Sequence, residues 1–334
     1  MSMRQVAVIA VLAILALAVP LSAAAAPPPS PEPPVTPPLA YRVPGMDNPV
    51  TRSTVLRQGV DVLGGGRDYL EVQATPAQAD RLRASGLRLL PLPATAPAPG
   101  LVAPGEFPIG YRGYHTYRTL TAELDSLAAA HPHQVAVSSY GRSAQGRPLL
   151  LVKISDKVRT DKHEPEVLFS CAQHAREHLT VEMCLHIVRR LAQGYGTDPA
   201  ITQLVKSREI WVVPMANPDG AEYDISTGLF AMWRKNRQPT PENTEIGTDL
   251  NRNWSDEWAC CGGSSSNPGN DTYHGTAPFS APETAQLRDW VNSRVVRGVQ
   301  QITAHIDFHS FSELVLWPYG FTASDTGPGL NNSE

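Results

Sequence analysis

The stretch CAQHAREHLTVEM, Cys171–Met183, places two histidines and two acids within nine residues, His174 to Glu182. Two readings compete. As H-x-x-E-H it would be a helical zinc site, with His174 and His178 as ligands and Glu177 as base. As H-x-x-E it would supply only His174 and Glu177, and a third ligand must come from elsewhere. The neighbouring sequence bears on the choice. EVLFSC (166–171) reads as a strand, and LTVEMCLHIVRRLAQ (179–193) as a helix with Thr180 near its start. His174 and Glu177 then fall in the turn between them, at the carboxyl end of a strand, where open α/β sheets place ligands. The first reading needs both histidines on one continuous helix, and a strand running into Cys171 leaves little room for that.

The third ligand is expected at another strand end. His309 closes the apolar strand AHIDFH (304–309), which reads as buried. His305 lies on the same strand face but four residues away, about 13 Å at about 3.3 Å per residue, too far to share one ion with His309. A lone histidine ending a strand is more often structural, and the H-x-x-E turn shifts that balance. Two imidazoles and one carboxylate leave a fourth position open on zinc, the catalytic rather than the closed structural arrangement. Water at that position becomes a nucleophile near neutral pH.

Strands and helices alternate around this turn. YRTLTAELDSLAAAHP (117–132) and APETAQLRDWVNSRV (281–295) read as helices, the latter with Pro282 in its first turn. VAVSSYG (135–141), PLLLVKIS (148–155), REIWVVPM (208–215) and ELVLWPYG (313–320) read as strands. The pattern predicts an α/β domain with a mixed, mostly parallel sheet covered by helices on both faces. No internal repeat is present.

The 334 residues are 42% hydrophobic and 18% charged, enough for one large domain and something smaller. A net charge of −4 gives no reason to expect a nucleic-acid surface. Residues 1–26 read as a secretory signal: Arg4, an apolar run to about Leu21, then Ser22 and alanines. No later run is long and apolar enough to span a bilayer, so no membrane contact is expected after signal cleavage. Export permits disulfides among Cys171, Cys184, Cys260 and Cys261. A bond between the adjacent pair would be strained, and the pairing stays open. Residues 27–39 are a proline-rich linker. TVLRQGVDVL (54–63), YLEVQ (69–73), a helix starting at Thr75-Pro76 and LRLLPL (87–92) form a small unit with a β-α-β core, and 94–108 is a second linker. That order suggests a secreted, monomeric zymogen: signal 1–26, a small α+β pro-segment within 27–106, and a catalytic domain over 107–334.

Seven motifs carry a resemblance: HAREHLTVEM (174–183), NPDGAEYDIS (217–226), WRKNRQP (233–239), GTDLNRNW (247–254), CCGGSSS (260–266), YHGTAPFSAPET (273–284) and HIDFHSFSELVLWPYG (305–320). From about residue 107 to 330 the chain resembles zinc carboxypeptidases of the metallocarboxypeptidase A type, above all the secreted bacterial carboxypeptidase T branch. The resemblance implies one zinc ion on His174, Glu177 and His309, and Arg234 polarising the scissile carbonyl. It implies Asn251 and Arg252 gripping the free C-terminal carboxylate of a peptide or protein substrate, with Arg176 and Phe311 as further substrate contacts. Arginine suits these tasks because its planar fork matches a carboxylate. Asp156, Glu164 and Glu166 resemble a calcium-stabilised loop of that branch, and clustered carboxylates suit calcium.

The family normally continues well past Glu334. Its further part carries the general-base glutamate, a tyrosine that closes over the substrate, and most of the side-chain pocket. Glu313 and Glu182 are poor substitutes. The chain is therefore expected to be an inactive fragment of a carboxypeptidase. Two other functions are compatible with the motifs: a non-catalytic module binding zinc and C-terminal peptides, and a zinc amidohydrolase acting on cell-wall peptides.

Overall fold

The computed structural model describes residues 39–321 apart from positions 57, 59, 93–104, 109, 241–245, 311–314, 317 and 319. The expected signal segment, the stretch 27–38, residues 94–104, Phe311 and Glu313 lie outside the described residues.

The first part is a four-stranded antiparallel sheet with two helices. In chain order it runs β1 (Leu39–Pro44), α1 (Pro49–Leu56), β2 (Asp61–Gly65), β3 (Tyr69–Ala74), α2 (Pro76–Ala84) and β4 (Leu90–Pro91), with strand order β2-β3-β1-β4. The start of α2 is set by a capping box: Gln78 N donates to Thr75 Oγ1, and Thr75 N donates to Gln78 Oε1. The predicted strand-helix-strand is present as β3, α2 and β4. Strand β1 was not anticipated, since it follows directly on the proline-rich run. Stretch 54–63 divides between the end of α1 and β2 rather than forming one element. Val43, Val55, Leu70, Val72 and Leu82 close a separate small core.

The second part begins with α3 (Tyr117–Ala130), β5 (Val135–Arg142), β6 (Pro148–Ile154) and β7 (Glu166–Cys171). It continues with α4 (His178–Gly194), α5 (Pro199–Ser207), β8 (Glu209–Val213), α6 (Pro218–Asp224) and α7 (Pro282–Ser293). A short hairpin, β9 (Val295–Val296) and β10 (Val299–Gln300), leads into β11 (Ile302–Phe308). The sheet order is β11-β7-β8-β6-β5, and β11–β7 and β7–β8 are parallel while β6–β8 and β5–β6 are antiparallel. The sheet is mixed, as expected. Parallel pairings are two of the four, because β5 and β6 form a hairpin whose turn places Gly146 at φ 85°.

Period-2 alternation sends neighbouring strand residues to opposite faces. Leu150, Val152, Ile210 and Val212 meet α3, α4 and α5 on one side, where α4 contributes Val181, Leu185 and Val188. Leu151, Trp211 and Val213 meet Leu287 and Trp290 of α7 on the other. Each such side chain contributes about 1.5–3 kcal/mol on burial. A disulfide between Cys171 and Cys184 ties the end of β7 to α4, and Cys260 is bonded to Cys261. The expectation that β11 is buried is corrected. It is the edge strand, paired with β7 alone among the described strands, and Ile306 is 48% exposed. Of the expected strand 313–320, the described residues Val315 and Leu316 are exposed and not in a strand.

Candidate metal centre

The loop leaving β7 is pinned from three directions. Ala172 N donates to Thr180 Oγ1 of α4, Asn217 Nδ2 donates to the Gln173 carbonyl, and Ala175 N donates to the Arg234 carbonyl. Ala172 takes φ 55°, a left-handed conformation that costs a non-glycine residue of order 1–3 kcal/mol. Glu177 is the N-cap of α4, yet its side chain makes no capping hydrogen bond and points to the centre instead. His178 opens the helix and turns the other way, with its Nε2 2.8 Å from Asp224 Oδ2 in a buried pair. The geometry is thus H-x-x-E, with His178 outside the cluster.

His174, Glu177 and His309 converge, although His309 is 132 residues from Glu177 in sequence. His174 Nδ1 lies 2.8 Å from Glu177 Oε1, His309 Nδ1 lies 2.8 Å from Glu177 Oε2, and the two Nδ1 atoms are 3.1 Å apart. Each outer nitrogen faces another carboxylate: His309 Nε2 is 2.7 Å from Asp307 Oδ2, and His174 Nε2 is 3.3 Å from Asp249 Oδ1. Burial alone would lower His309, but Asp307 and Glu177 push it up to about 10. Burial would raise Glu177 and Asp249. His174 and His309 hold Glu177 well below the usual carboxylate range, and Arg234 with His174 does the same for Asp249. Asp307 is also lowered against its burial, chiefly by His309. Two inward imidazole nitrogens, one inward carboxylate and an outer nitrogen of His309 anchored on Asp307 suit a zinc ion.

Arg234 joins this cluster through Asp249, to which its Nε and Nη2 donate at 2.9 and 2.8 Å. Asn251 Nδ2 lies 3.4 Å from His309 Nε2. Arg252 is tied by Nε to the Gly263 carbonyl and by Nη1 to the Asn251 carbonyl. Arg176 donates to the carbonyl of Met232, itself at φ 57°, and approaches Asp271 at 3.5 Å. Burial lowers both Arg176 and Arg252, and repulsion from Arg234 adds to it. Both remain cations, since guanidinium does not lose its proton in proteins.

The sequence profile of the zinc carboxypeptidase family matches residues 120–333, more than half of the chain. A zinc carboxypeptidase from Saccharothrix mutabilis subsp. capreolus is 48% identical over 296 residues, covering 86% of this chain and 68% of that one. The chain belongs to the zinc carboxypeptidase family. Mouse carboxypeptidase A2 is 35% identical over 63% of this chain, which spans only 48% of that relative. Among solved structures, thrombin activatable fibrinolysis inhibitor superposes with a TM-score of 0.62 at 24% identity, covering 86% of this chain and 75% of that one. The Helicoverpa armigera carboxypeptidase A gives 0.60 at 24% identity, covering 82% and 70%. These two likenesses bear on the fold, and they agree with a zinc carboxypeptidase α/β sheet.

Within this zinc carboxypeptidase fold, Asp249 and Asp307 are the residues that reading for ligands passed over. Both stand in quoted motifs, and Asp307 had a usable signal, since it lies two residues before His309 on a strand and shares its face. Glu182 faces away, binding the backbone N and Nδ1 of His115. The calcium expectation finds no common point. Asp156 and Glu164 both pair with the Lys162 ammonium, while Glu166 pairs with Arg294. Among the described residues, Glu166 groups instead with Asp161 and Glu209, and Lys153 and Arg294 pair with members of that group. It sits at the far end of β7, about 17 Å from the metal loop at about 3.3 Å per residue.

Proposed function

We propose that the protein is a secreted zinc metallocarboxypeptidase, made as a zymogen, that removes residues from peptides with a free C-terminus. The observation that carries this is the meeting of His174, Glu177 and His309 with Arg234 one carboxylate away. His174, Glu177 and His309 would hold the ion. Bound zinc supplies a Lewis acid for the scissile carbonyl and for water. Arg234 donates to the carbonyl oxygen as negative charge grows there, and Asp249 keeps the guanidinium still, so little reorganisation is needed. Asn251 and Arg252 take the terminal carboxylate, while Arg176 and Phe311 contact the rest of the substrate. An internal amide brings no charge to that clamp, which makes the enzyme an exopeptidase.

Residues 1–26 serve as the signal and 27–106 as the pro-segment, a reading supported by their composition and by the separate small core. The carboxylates beside the centre, Glu177, Asp249 and Asp307, all engage its histidines. No general base is therefore assigned among the described residues.

The test is calorimetry of the zinc-loaded protein with a short peptide and its C-terminal amide. The free acid is expected to bind at least about tenfold more tightly, since a charged hydrogen bond contributes about 1.5–3 kcal/mol. Equal affinity for both would overturn the exopeptidase reading.

A further inference from the structure

We propose that Asp307 is a positioning residue for the metal, fixing the His309 ring with Nδ1 toward the ion. This rests on the metal reading above. Asp307 and His309 are two residues apart and share one face at the end of β11, which brings Asp307 Oδ2 to 2.7 Å from His309 Nε2. An imidazole offers either nitrogen, and the hydrogen bond on one decides which lone pair the other presents. A carboxylate on Nε2 selects the Nε2–H tautomer and leaves Nδ1 to face His174 and Glu177.

Asp307 is itself braced from the neighbouring strand. Ser170 Oγ donates to its Oδ1 and Gln173 Nε2 to its Oδ2, each at 2.6 Å. Gln173 is held in turn by Trp254 Nε1, which donates to its Oε1 at 3.2 Å. Ser170 is the register partner of Asp307 in the parallel β7–β11 pair, and Gln173 immediately precedes His174. The brace therefore spans the two strands at the level where both ligand-bearing segments leave the sheet. Removing the carboxylate would loosen one ligand directly and the spacing between the two segments indirectly. The corresponding contact on the other ring is longer: Asp249 approaches His174 Nε2 only to 3.3 Å and is shared with Arg234. An ordinary ion pair would also account for the 2.7 Å distance, so the test reads the metal and not stability alone.

The full chain is stripped of metal, and zinc affinity is measured by competition with a chromogenic chelator for wild type, Asp307→Asn, Ser170→Ala and His309→Ala. The visible absorption of the cobalt-substituted proteins is recorded alongside. Asp307→Asn is expected to bind zinc about 10–100-fold more weakly, with an altered cobalt spectrum. Ser170→Ala removes one brace and should weaken binding about 2–10-fold. If wild type fails to bind one zinc, or His309→Ala binds as well as wild type, the metal reading itself is wrong. If those two behave as expected but Asp307→Asn matches wild type in affinity and spectrum, the positioning role is overturned. Should Asp307→Asn not fold, Ser170→Ala decides, and unchanged affinity there overturns the proposal.

Discussion

The Nδ1 atoms of His174 and His309 face each other at 3.1 Å, with ring centroids 4.7 Å apart. Two imidazole lone pairs repel at that separation unless a proton or a cation lies between them. In the metal-free protein Asp307 and Glu177 favour a proton on His309, pushing it against its burial from 6.5 up to about 10. A raised folded value contributes stability that is complete below the unfolded pKa and is lost as pH rises through the folded one. Metal-free stability should therefore fall between about pH 6.5 and about pH 10 on this account. Zinc must displace the same proton, so zinc affinity should rise over that window by up to about tenfold per pH unit. Opposite pH trends for the two forms are the expected outcome of parallel denaturation and chelator titrations. A zinc affinity independent of pH there would contradict it.

Arg234 and Asp249 form a buried pair, and removing one member leaves the other charge without its compensation. Arg234→Gln should destabilise the protein by about 3–5 kcal/mol in urea unfolding. The double variant with Asp249→Asn should recover part of that loss, since neither charge of this pair is then left without the other. If the single variant unfolds like wild type, the pair does not carry the load its burial indicates. For the proposed peptidase reaction the same single change should lower kcat by about 10²–10³-fold, as for loss of an oxyanion donor.

How far the sequence could be read depended on whether the deciding contacts were local. Strand 166–171 was legible to the residue because an apolar run ends at a turn carrying His174 and Glu177, and the helix beyond has a continuous apolar stripe. His309 was legible because it ends an apolar strand. The resemblance named Arg234, but its hold on Asp249 and the grip of Asp307 on His309 depend on tertiary placement. The calcium expectation gains no support, for the same reason. Asp156, Glu164 and Glu166 are close in sequence, but Lys162 and an arginine 128 residues downstream of Glu166 take them. Strand β1 was missed because its pairing partners, β3 and β4, lie beyond a helix and a further strand.

The Cys171–Cys184 disulfide closes a 13-residue separation that contains the whole His174–Glu177 turn. Cross-linking a loop of about this length contributes about 3 kcal/mol, largely by restricting the unfolded chain. The double change to serine should lower stability by about 2–4 kcal/mol while the metal-loaded protein keeps its zinc stoichiometry, because the loop is also pinned by Thr180, Asn217 and Arg234. Loss of zinc binding at temperatures where the variant is still folded would show instead that the disulfide shapes the turn itself.

Gly220 of α6 is the tightest point behind the metal loop. A Cβ there would lie 2.5 Å from the Lys235 carbonyl, 2.7 Å from Asn217 Oδ1 and 2.8 Å from Ala175 Cβ. None of these can retreat cheaply. Lys235 follows Arg234 in the chain, Ala175 follows His174, and Asn217 caps α6 through its Oδ1 while holding the Gln173 carbonyl. Gly220→Ala should therefore cost about 1–3 kcal/mol by overpacking. Because the displaced atoms carry His174 and Arg234, zinc affinity should fall as well. A neighbouring control, Glu222→Ala, lies on the same helix and should leave zinc affinity within about twofold. If Gly220→Ala loses stability but binds zinc as wild type does, the loop yields without moving its ligands, and the rigidity ascribed to it here is wrong.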